Sequence, residues 1–289
     1  MVNIGYHSAK FQGKIHRFVY TKAINNIVNF PLTPEKKANI DVYAFSCERD
    51  LAIQVANIRS FIRYVGIPNK FIVISDGSYS SSSRNILRQI NGCVDVIEWQ
   101  DLVIGDIPKP ISNYVVDYPH RAIMAFWRRL AVLTSISIDK PTIYTDADIL
   151  FFPGAKEIVN LCDSNDSYSW YLPDCLPSLD ERIILHDHEK FNPVNAGFFI
   201  VKQQINWEEP LERVAQLVDE PVYFTEQTVV HLAMHNNQAK PLDKTKFILS
   251  VDDQFQYLEN FDKRKIALRH YVNDVRHKFW LSLGIAGSI

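Results

Sequence analysis

The chain has 289 residues, of which 47% are hydrophobic and 22% are charged, and its formal net charge is -2. This length and apolar content are sufficient for one substantial core, which argues against a wholly disordered chain. A net charge so close to zero gives no basic footprint for nucleic acid and no overall polybasic surface for anionic lipid. We therefore expect a folded protein that does not bind nucleic acid.

The four cysteines are dispersed and form no CxxC pair, which favours reduced thiols over a disulfide framework. No stretch reaches the roughly 18 consecutive apolar residues that a membrane span requires. These two features predict a cytoplasmic protein with no transmembrane segment.

Residues 1–40 show no clean hydrophobic periodicity and end in FPLTPEKKAN, whose prolines and charges are typical of a loop. The segment 41–47, DVYAFSC, is rich in β-forming residues and predicts the first strand. Apolar residues recur at helical spacing over 51–65 and stop at Gly66, which predicts a helix. We expect an N-terminal extension over 1–40 and a single domain over 41–289.

The same strand and helix pattern repeats along the chain. KFIVISDGS and CVDVIEW are predicted as strands on either side of a serine-capped helix in SSSRNILRQING. A long helix is predicted in HRAIMAFWRRLAVLTSIS, followed by a strand in PTIYTDADILFF. Strands that alternate with helices predict an α/β fold with a mainly parallel, doubly wound central sheet flanked by helices.

Two aspartates follow the strand TIYT. Asp146 and Asp148 flank Ala147, so continued strand alternation places both carboxylates on one side. Ligands of an open α/β sheet bind outside the carboxyl ends of its strands, and Mg²⁺ or Mn²⁺ prefers carboxylate, water and phosphate oxygens. An arbitrary DxD tripeptide is more often a solvated turn or a helix cap. Here the preceding strand and the apolar ILFF that follows favour a metal site.

The segment IYTDADILFF resembles the metal-binding segment of the GT-A glycosyltransferases, especially family 8, the glycogenin-like and galactosyltransferase group. Three later segments resemble the same family in the same order: PVNAGFFIVK, TEQTVVHLAMH and RHYVNDVRHKFW. The resemblance implies a Rossmann-like nucleotide-diphospho-sugar transferase fold. It divides the domain into a donor-binding half, 41–152, and an acceptor and C-terminal half, 153–289.

The resemblance also implies that His270 completes the metal site of the two aspartates and that Lys278 contacts the donor diphosphate. A neutral imidazole suits a carboxylate site that tolerates Mn²⁺, and an ammonium offsets charge on a departing diphosphate. The spacing between the two residues leaves Arg276 or His277 as alternative diphosphate contacts. Without the aspartates, a lone histidine near the end of a chain is more often structural.

Candidate sugar contacts come from three segments of the second half. Asn195 and Gly197 match the family's N-A-G segment, and they combine a side-chain amide with a residue that permits close backbone approach. The alternative is a turn before the strand FFIV. Asp174 in the loop YLPDC is a further candidate for a sugar hydroxyl or a catalytic carboxylate.

Glu226 and Gln227 match the positions where the family places an acidic residue and a glutamine beneath the reacting sugar. A carboxylate there can bind hydroxyls, stabilise positive charge at the anomeric carbon or act as a base. The alternative is the first turn of a helix, capped by Thr225.

The remaining donor contacts are expected in the first half of the domain. The family has a donor-contacting arginine on the helix before the acidic strand, and Arg128 and Arg129 both lie there, about 100° apart. Arg129 is slightly preferred. Ser46 and Asp76 lie in the first two loops that follow strands, where the resemblance places the base and ribose, although Asp76 with Gly77 also suits a simple turn.

The function implied by the resemblance is transfer of a sugar from a nucleotide-diphosphate sugar, for which the same resemblance implies a UDP-sugar, to a hydroxyl acceptor on a glycan, a lipid-linked molecule or a small molecule. Retention of configuration and a requirement for Mn²⁺ or Mg²⁺ follow from the same resemblance. Two alternatives stay open. A sugar-phosphate nucleotidyltransferase normally has a glycine-rich basic loop after its first strand, which SCERDLAIQ lacks. A non-catalytic nucleotide-sugar or carbohydrate-binding module is also compatible with short acidic motifs.

Overall fold

The computed structural model describes residues 3–32, 36–103, 107–116 and 118–283. The helices and strands follow one another in this order: α1 (Ile4–Lys22), α2 (Ile24–Val28), β1 (Asp41–Ser46), α3 (Leu51–Tyr64), β2 (Lys70–Ser75), α4 (Ser81–Arg88), β3 (Val94–Glu98), α5 (Trp99–Leu102), α6 (Ser112–Val116), α7 (Arg121–Ser135), β4 (Thr142–Thr145), β5 (Ile149–Phe151), α8 (Lys156–Asp163), β6 (Trp170–Pro173), β7 (Val194–Val201), α9 (Glu208–Ala215), α10 (Thr225–Asn236), β8 (Lys240–Pro241), β9 (Phe247–Ile248), β10 (Leu268–His270) and α11 (Arg276–Leu283).

A seven-stranded sheet has the order β3-β2-β1-β4-β7-β6-β8. Strands β3, β2, β1 and β4 are parallel, whereas β7 runs antiparallel to both of its neighbours. Each face of the sheet packs on its own apolar core: Val42 and Ala44 of β1 belong to one core, and Tyr43 between them belongs to the other. The predicted α/β class, with a mainly parallel sheet between helices, is confirmed.

The predicted strands and helices of the first half are present. The β1 and β2 segments and the helix between them begin and end within a few residues of the predicted boundaries. Helix α4 is capped as the serine run indicates, because Ser80 Oγ accepts a hydrogen bond from Ser83 N at 3.2 Å. Thr225 does not cap α10, since its hydroxyl group instead bonds Asp180 and the Val222 amide.

A second, three-stranded sheet has the order β5-β10-β9. Strand β10 pairs antiparallel with β5, so that His270 lies opposite Ile149, one residue beyond Asp148. The antiparallel pairing of β5 and β10 therefore brings His270 next to Asp148, which lies 122 residues earlier in the chain.

Residues 1–40 contain a long helix, which their lack of clean hydrophobic periodicity did not predict. Helix α1 spans 19 residues and packs its buried face on α11. That face lacks an apolar repeat, because it is formed by Ala9, Gly13, His16 and Tyr20. His16 Nδ1 lies 3.0 Å from the Trp280 carbonyl oxygen. Residues 33–35 of the predicted loop and 284–289 of the predicted domain lie outside the described residues.

Candidate active site

The two aspartates lie where β4 leaves the carboxyl edge of the sheet. Asp146 N donates to Gly197 O at 2.7 Å, which holds the turn against β7. Asn57 of α3 fastens the turn from the other side, since its amide nitrogen donates to Ile149 O at 2.9 Å and Asp146 O at 3.2 Å. The acidic turn is therefore fixed by backbone contacts that do not use the aspartate carboxylates.

Asp146, Asp148 and His270 form one cluster, whose donor atoms all lie within 4.8 Å of one another. His270 Nε2 is 3.0 Å from Asp148 Oδ1 and 3.9 Å from Asp146 Oδ2. The family resemblance of the sequence predicted that the distant His270 would join the two neighbouring aspartates. Burial would lower the pKa of the His270 imidazole, but Asp148 and Asp146 raise that pKa above its usual value.

Asn195 orients the histidine. Its Oδ1 accepts the Gly197 backbone N–H at 3.0 Å, which identifies this atom as the oxygen of the amide. The same oxygen lies 2.9 Å from His270 Nδ1, so Nδ1 must carry a proton to donate. Nε2 is then the nitrogen that faces the aspartates, the arrangement typical of a metal-binding histidine held by a neighbouring acceptor.

Gly197 faces the cluster where no side chain fits. A Cβ atom added to Gly197 would lie 2.4 Å from His270 Cε1 and 2.8 Å from Asp146 Oδ2. The glycine of the N-A-G segment therefore permits β7 to approach the candidate ligands closely, and a turn before the strand does not describe it, because β7 runs through Val194–Val201.

Arg129 links two carboxylates in the wall of the site. Its Nη1 lies 3.3 Å from both oxygens of Asp146, and its Nε and Nη2 bond the two oxygens of Glu226. Burial raises the pKa of Glu226 although Arg129 opposes this effect. Arg128 points elsewhere, toward the carbonyl oxygens of Val115 and Asp76.

The basic group next to Asp148 is Arg276, and it is not Lys278. Arg276 Nη2 bonds Asp148 Oδ2, and its side chain is 35% exposed at the cleft. Lys278 is fully buried on the same helix, where its Nζ donates to Leu258 O at 2.9 Å and pairs with Asp253. The two residues lie about 200° apart around a helix, so they cannot face one ligand together.

Gln227 lines the same cleft, but Asp174 lies behind it. Asp174 Oδ2 accepts from Gln227 Nε2 at 3.1 Å and from Asn195 Nδ2 at 3.3 Å, and its own side chain is nearly buried. Asp174 therefore positions two amides, and the structure does not bring it to the cleft surface as a sugar contact or a base.

The cleft has a volume of about 870 Å³ and extends from the cluster to the loops after β1 and β2. Ser46 is buried in its floor, with its Oγ accepting from Tyr79 at 2.9 Å. Asp76 lines the cleft and also forms the turn, since its Oδ1 accepts the Ser78 N–H at 2.9 Å. Both roles considered for Asp76 in the sequence are compatible with this position.

Several residues of the site were not singled out in the sequence. Asn57 sits with Gln54 on the buried side of α3, and two polar residues within an apolar helical stripe are a signal that could have identified it. Tyr144, whose hydroxyl group donates to Asp146 Oδ1 at 2.9 Å, gave no signal distinct from an ordinary core aromatic. Phe126 and Tyr223 pack edge to face, and both line the cleft.

The donor set fits a divalent cation of the Mg²⁺ or Mn²⁺ type. Two carboxylates and one oriented imidazole converge beside a glycine, with open cleft on one side. Burial would raise the pKa of Asp148, but His270 and Arg276 hold that pKa well below its usual range. Asp148 is therefore ionised at neutral pH, as a carboxylate that binds a metal must be.

Solved structures similar to this chain are glycosyltransferases. The galactosyltransferase LgtC, in complex with donor and acceptor sugar analogues, matches with a TM-score of 0.56 and 15% identity over 86% of this chain and 96% of that chain. Mouse xyloside xylosyltransferase 1 matches with a TM-score of 0.54 and 14% identity over 83% and 99%. The bifunctional glycosyltransferase WbbM matches with a TM-score of 0.57 and 10% identity over 90% and 51%.

No family model matches the chain, and no curated protein matches its sequence. At these identities the structural likeness establishes the fold, which is the GT-A glycosyltransferase fold. Among the described residues, no helix is both long enough and apolar enough to cross a membrane.

Proposed function

We propose that this protein is a metal-dependent glycosyltransferase that uses a nucleotide-diphosphate sugar, of the family 8 type. The observation that carries the proposal is the cluster of Asp146, Asp148 and His270 at the carboxyl edge of a GT-A sheet, in a cleft large enough for a donor. UDP as the nucleotide and retention of configuration rest on the family resemblance.

In the proposed site, the two aspartates and His270 Nε2 would hold Mn²⁺ or Mg²⁺, with Asn195 fixing the imidazole. The ion supplies positive charge that offsets the negative charge on a departing diphosphate. Arg276 borders the same space, and its guanidinium offers a planar pair of donors to phosphate oxygens. Arg276 thus takes the diphosphate contact first expected of Lys278.

The sugar of the donor would lie toward Glu226 and Gln227. Glu226 is held by two hydrogen bonds from Arg129, so its carboxylate is oriented before any substrate binds. A fixed negative charge there stabilises positive charge that develops at an anomeric carbon. Gln227 is positioned in turn by Asp174 and by Ser178 O.

The hydroxyl acceptor would occupy the far end of the cleft, beside the aromatic wall formed by Phe126, Tyr223 and Phe224. Apolar faces of sugar rings pack well on such side chains. The nucleotide would occupy the other end, near Ser46 and Asp76.

The test is a thermal-shift screen of UDP, UTP, UDP-glucose and UDP-galactose, with and without Mn²⁺. A donor at about 100 times its dissociation constant should stabilise the protein by roughly 2.7 kcal/mol, and only with the metal present. Asp148→Asn should abolish this stabilisation, because the amide removes one charged ligand and one counter-ion of Arg276.

Asp41→Asn is the matched control. Asp41 also pairs with a basic residue, Lys70 at 3.1 Å, but at the amino end of β1, across the sheet from the cleft. It should keep the full metal-dependent shift. An unchanged shift in Asp148→Asn would refute the metal site, and stabilisation by UTP without any response to UDP-sugars would favour a nucleotidyltransferase.

A further inference from the structure

Helix α1 has two different faces. Ala9, Gly13, His16 and Tyr20 form the buried face against α11. On the opposite side, Ile4, Phe11, Ile15 and Phe18 are exposed, and they lie within about 60° of one another around the helix. We call these four residues the apolar stripe. Phe11 is 67% exposed and Phe18 is 64% exposed, so nothing among the described residues covers the centre of the stripe.

The charged side chains of α1 are all basic. Lys10, Lys14 and Arg17 form a row along one flank of the apolar stripe, and Lys22 lies in the last turn. The helix contains no Asp or Glu, although the whole chain carries a net charge of -2. A net charge near zero therefore does not exclude a local cationic surface. The basic residues of α1 form such a surface, to which an anionic partner can bind.

A loop beside the first turns of α1 carries further exposed apolar side chains. The Tyr257 hydroxyl group donates to Gln12, and the ring of Phe255 lies 5.9 Å from that of Tyr6. The side chains of Phe255, Tyr257 and Leu258 are themselves exposed. Tyr6 and Gln12 lie about 90° or more from the centre of the apolar stripe around the helix. The stripe itself is therefore the exposed apolar surface of α1 that marks an interaction site.

We propose that α1 binds the surface of an anionic lipid bilayer, with the apolar stripe inserted at the level of the headgroups and the basic row contacting them. Aromatic and aliphatic residues on one side, flanked by Lys and Arg and without acidic residues, are the pattern of interfacial helices. The proposal is independent of the sugar chemistry assigned to the cleft.

Charge complementarity favours lipid over a second copy of the chain. In a two-fold dimer formed through the apolar stripe, each α1 would face a second copy of α1, which contains no Asp or Glu. The facing helix would offer no counter-charge to Lys10, Lys14 and Arg17, whereas an anionic surface offers one to each of them.

The test is flotation of the full chain with vesicles of phosphatidylcholine alone or of phosphatidylcholine with phosphatidylglycerol. We expect binding to the anionic vesicles, weakened by salt. The triple variant Lys10→Gln, Lys14→Gln, Arg17→Gln should lower the partition coefficient about 100-fold. The variant Phe11→Ser, Phe18→Ser should lose binding to a similar extent, and all of these side chains are exposed, so the melting temperature should not change.

Phe191→Ser is the matched control, because Phe191 is as exposed as Phe11 but lies in the loop before β7. It should bind vesicles as the unmodified chain does. The proposal fails if anionic vesicles do not bind the protein, or if Phe191→Ser and the α1 variants are affected equally. It also fails if sedimentation without lipid reveals a dimer that the Phe11→Ser, Phe18→Ser variant dissociates.

Discussion

Arg129 is the residue that connects the candidate metal ligands to the candidate sugar site. It contacts Asp146 on one side and Glu226 on the other, and its own side chain is only 11% exposed. A buried guanidinium with two carboxylates leaves little freedom for any of the three. Glu226 is therefore an oriented charge, and the first-turn role considered for it in α10 does not account for its burial or its partner.

Glu226→Gln should lower turnover more than it lowers donor affinity. The amide keeps the shape and one acceptor oxygen but removes the charge that would strengthen in the transition state, so we expect a loss of roughly 100-fold or more in kcat. The measurement is hydrolysis of the best-binding UDP-sugar together with its dissociation constant.

Gln227→Ala provides the comparison, because it removes a neighbouring cleft side chain that carries no charge. Its effect on kcat should be smaller. If Glu226→Gln keeps the kcat of the unmodified protein, the carboxylate serves only to hold Arg129, and catalysis must depend on groups other than Glu226.

The three candidate metal ligands could be predicted because their signals are local: a strand before Asp146 and Asp148, and a motif around His270. The choice between Arg276 and Lys278 could not be predicted. It depends on how α11 is rotated against α1, which is determined by packing between segments at opposite ends of the chain. The role of Asn57 could not be predicted for a related reason, because its side chain joins α3 to a turn 89 residues later in the chain.

At the level of elements, the pairing of α1 with α11 depends on a close approach at Gly13. A Cβ atom added there would lie 2.4 Å from the His277 backbone oxygen. A backbone atom cannot rotate away as a side chain does, so the helices would have to separate.

Gly13→Ala should destabilise the protein by about 1–3 kcal/mol, even though alanine is the better helix former. Gly92→Ala is the control, because nothing lies within 4 Å of a Cβ atom at Gly92. The free energy of unfolding in urea should fall for the first variant and stay the same or rise slightly for the second. Equal stability of the two variants would mean that α1 does not pack as described.

The strands of the central sheet and the helices that flank it could be predicted from the sequence, whereas α1 could not. Strands β1 and β2 are buried apolar runs, and α3 and α7 have long apolar faces, so periodicity identifies them. The buried face of α1 contains a glycine and a histidine, and its large apolar residues lie on the outside. A pattern that assumes apolar residues point inward cannot identify such a helix.

For the molecule as a whole, His231 makes the free energy of unfolding depend on pH. It is buried in α10, where its Nδ1 accepts the Val194 N–H at 3.3 Å and its Nε2 donates to Glu189 O. Burial lowers the pKa of His231 from its usual value of 6.5 to about 4. The folded chain therefore holds the neutral imidazole, while the unfolded chain takes up a proton below pH 6.5.

This stabilisation is fully present above pH 6.5 and is lost as the pH falls toward 4. Between pH 7 and pH 4, the free energy of unfolding should fall by about 3 kcal/mol more for the unmodified protein than for His231→Gln. Urea titrations at several pH values measure this difference, and other acid-sensitive groups cancel because both proteins contain them. Parallel pH profiles would contradict the assignment.

Helix α11 begins with Arg276 at the cleft and continues, through His277 and Trp280, along α1. A short helix is stiff, so a displacement of its first turn is felt along its length. Thermodynamic reciprocity then applies to the two proposed ligands of this protein. If a phosphate ligand at Arg276 changes the affinity of α1 for an anionic bilayer by some factor, the bilayer changes the affinity for the phosphate ligand by the same factor. The coupling can therefore be measured as lipid binding with and without the phosphate ligand, or as ligand binding with and without lipid. Both measurements must give the same coupling constant.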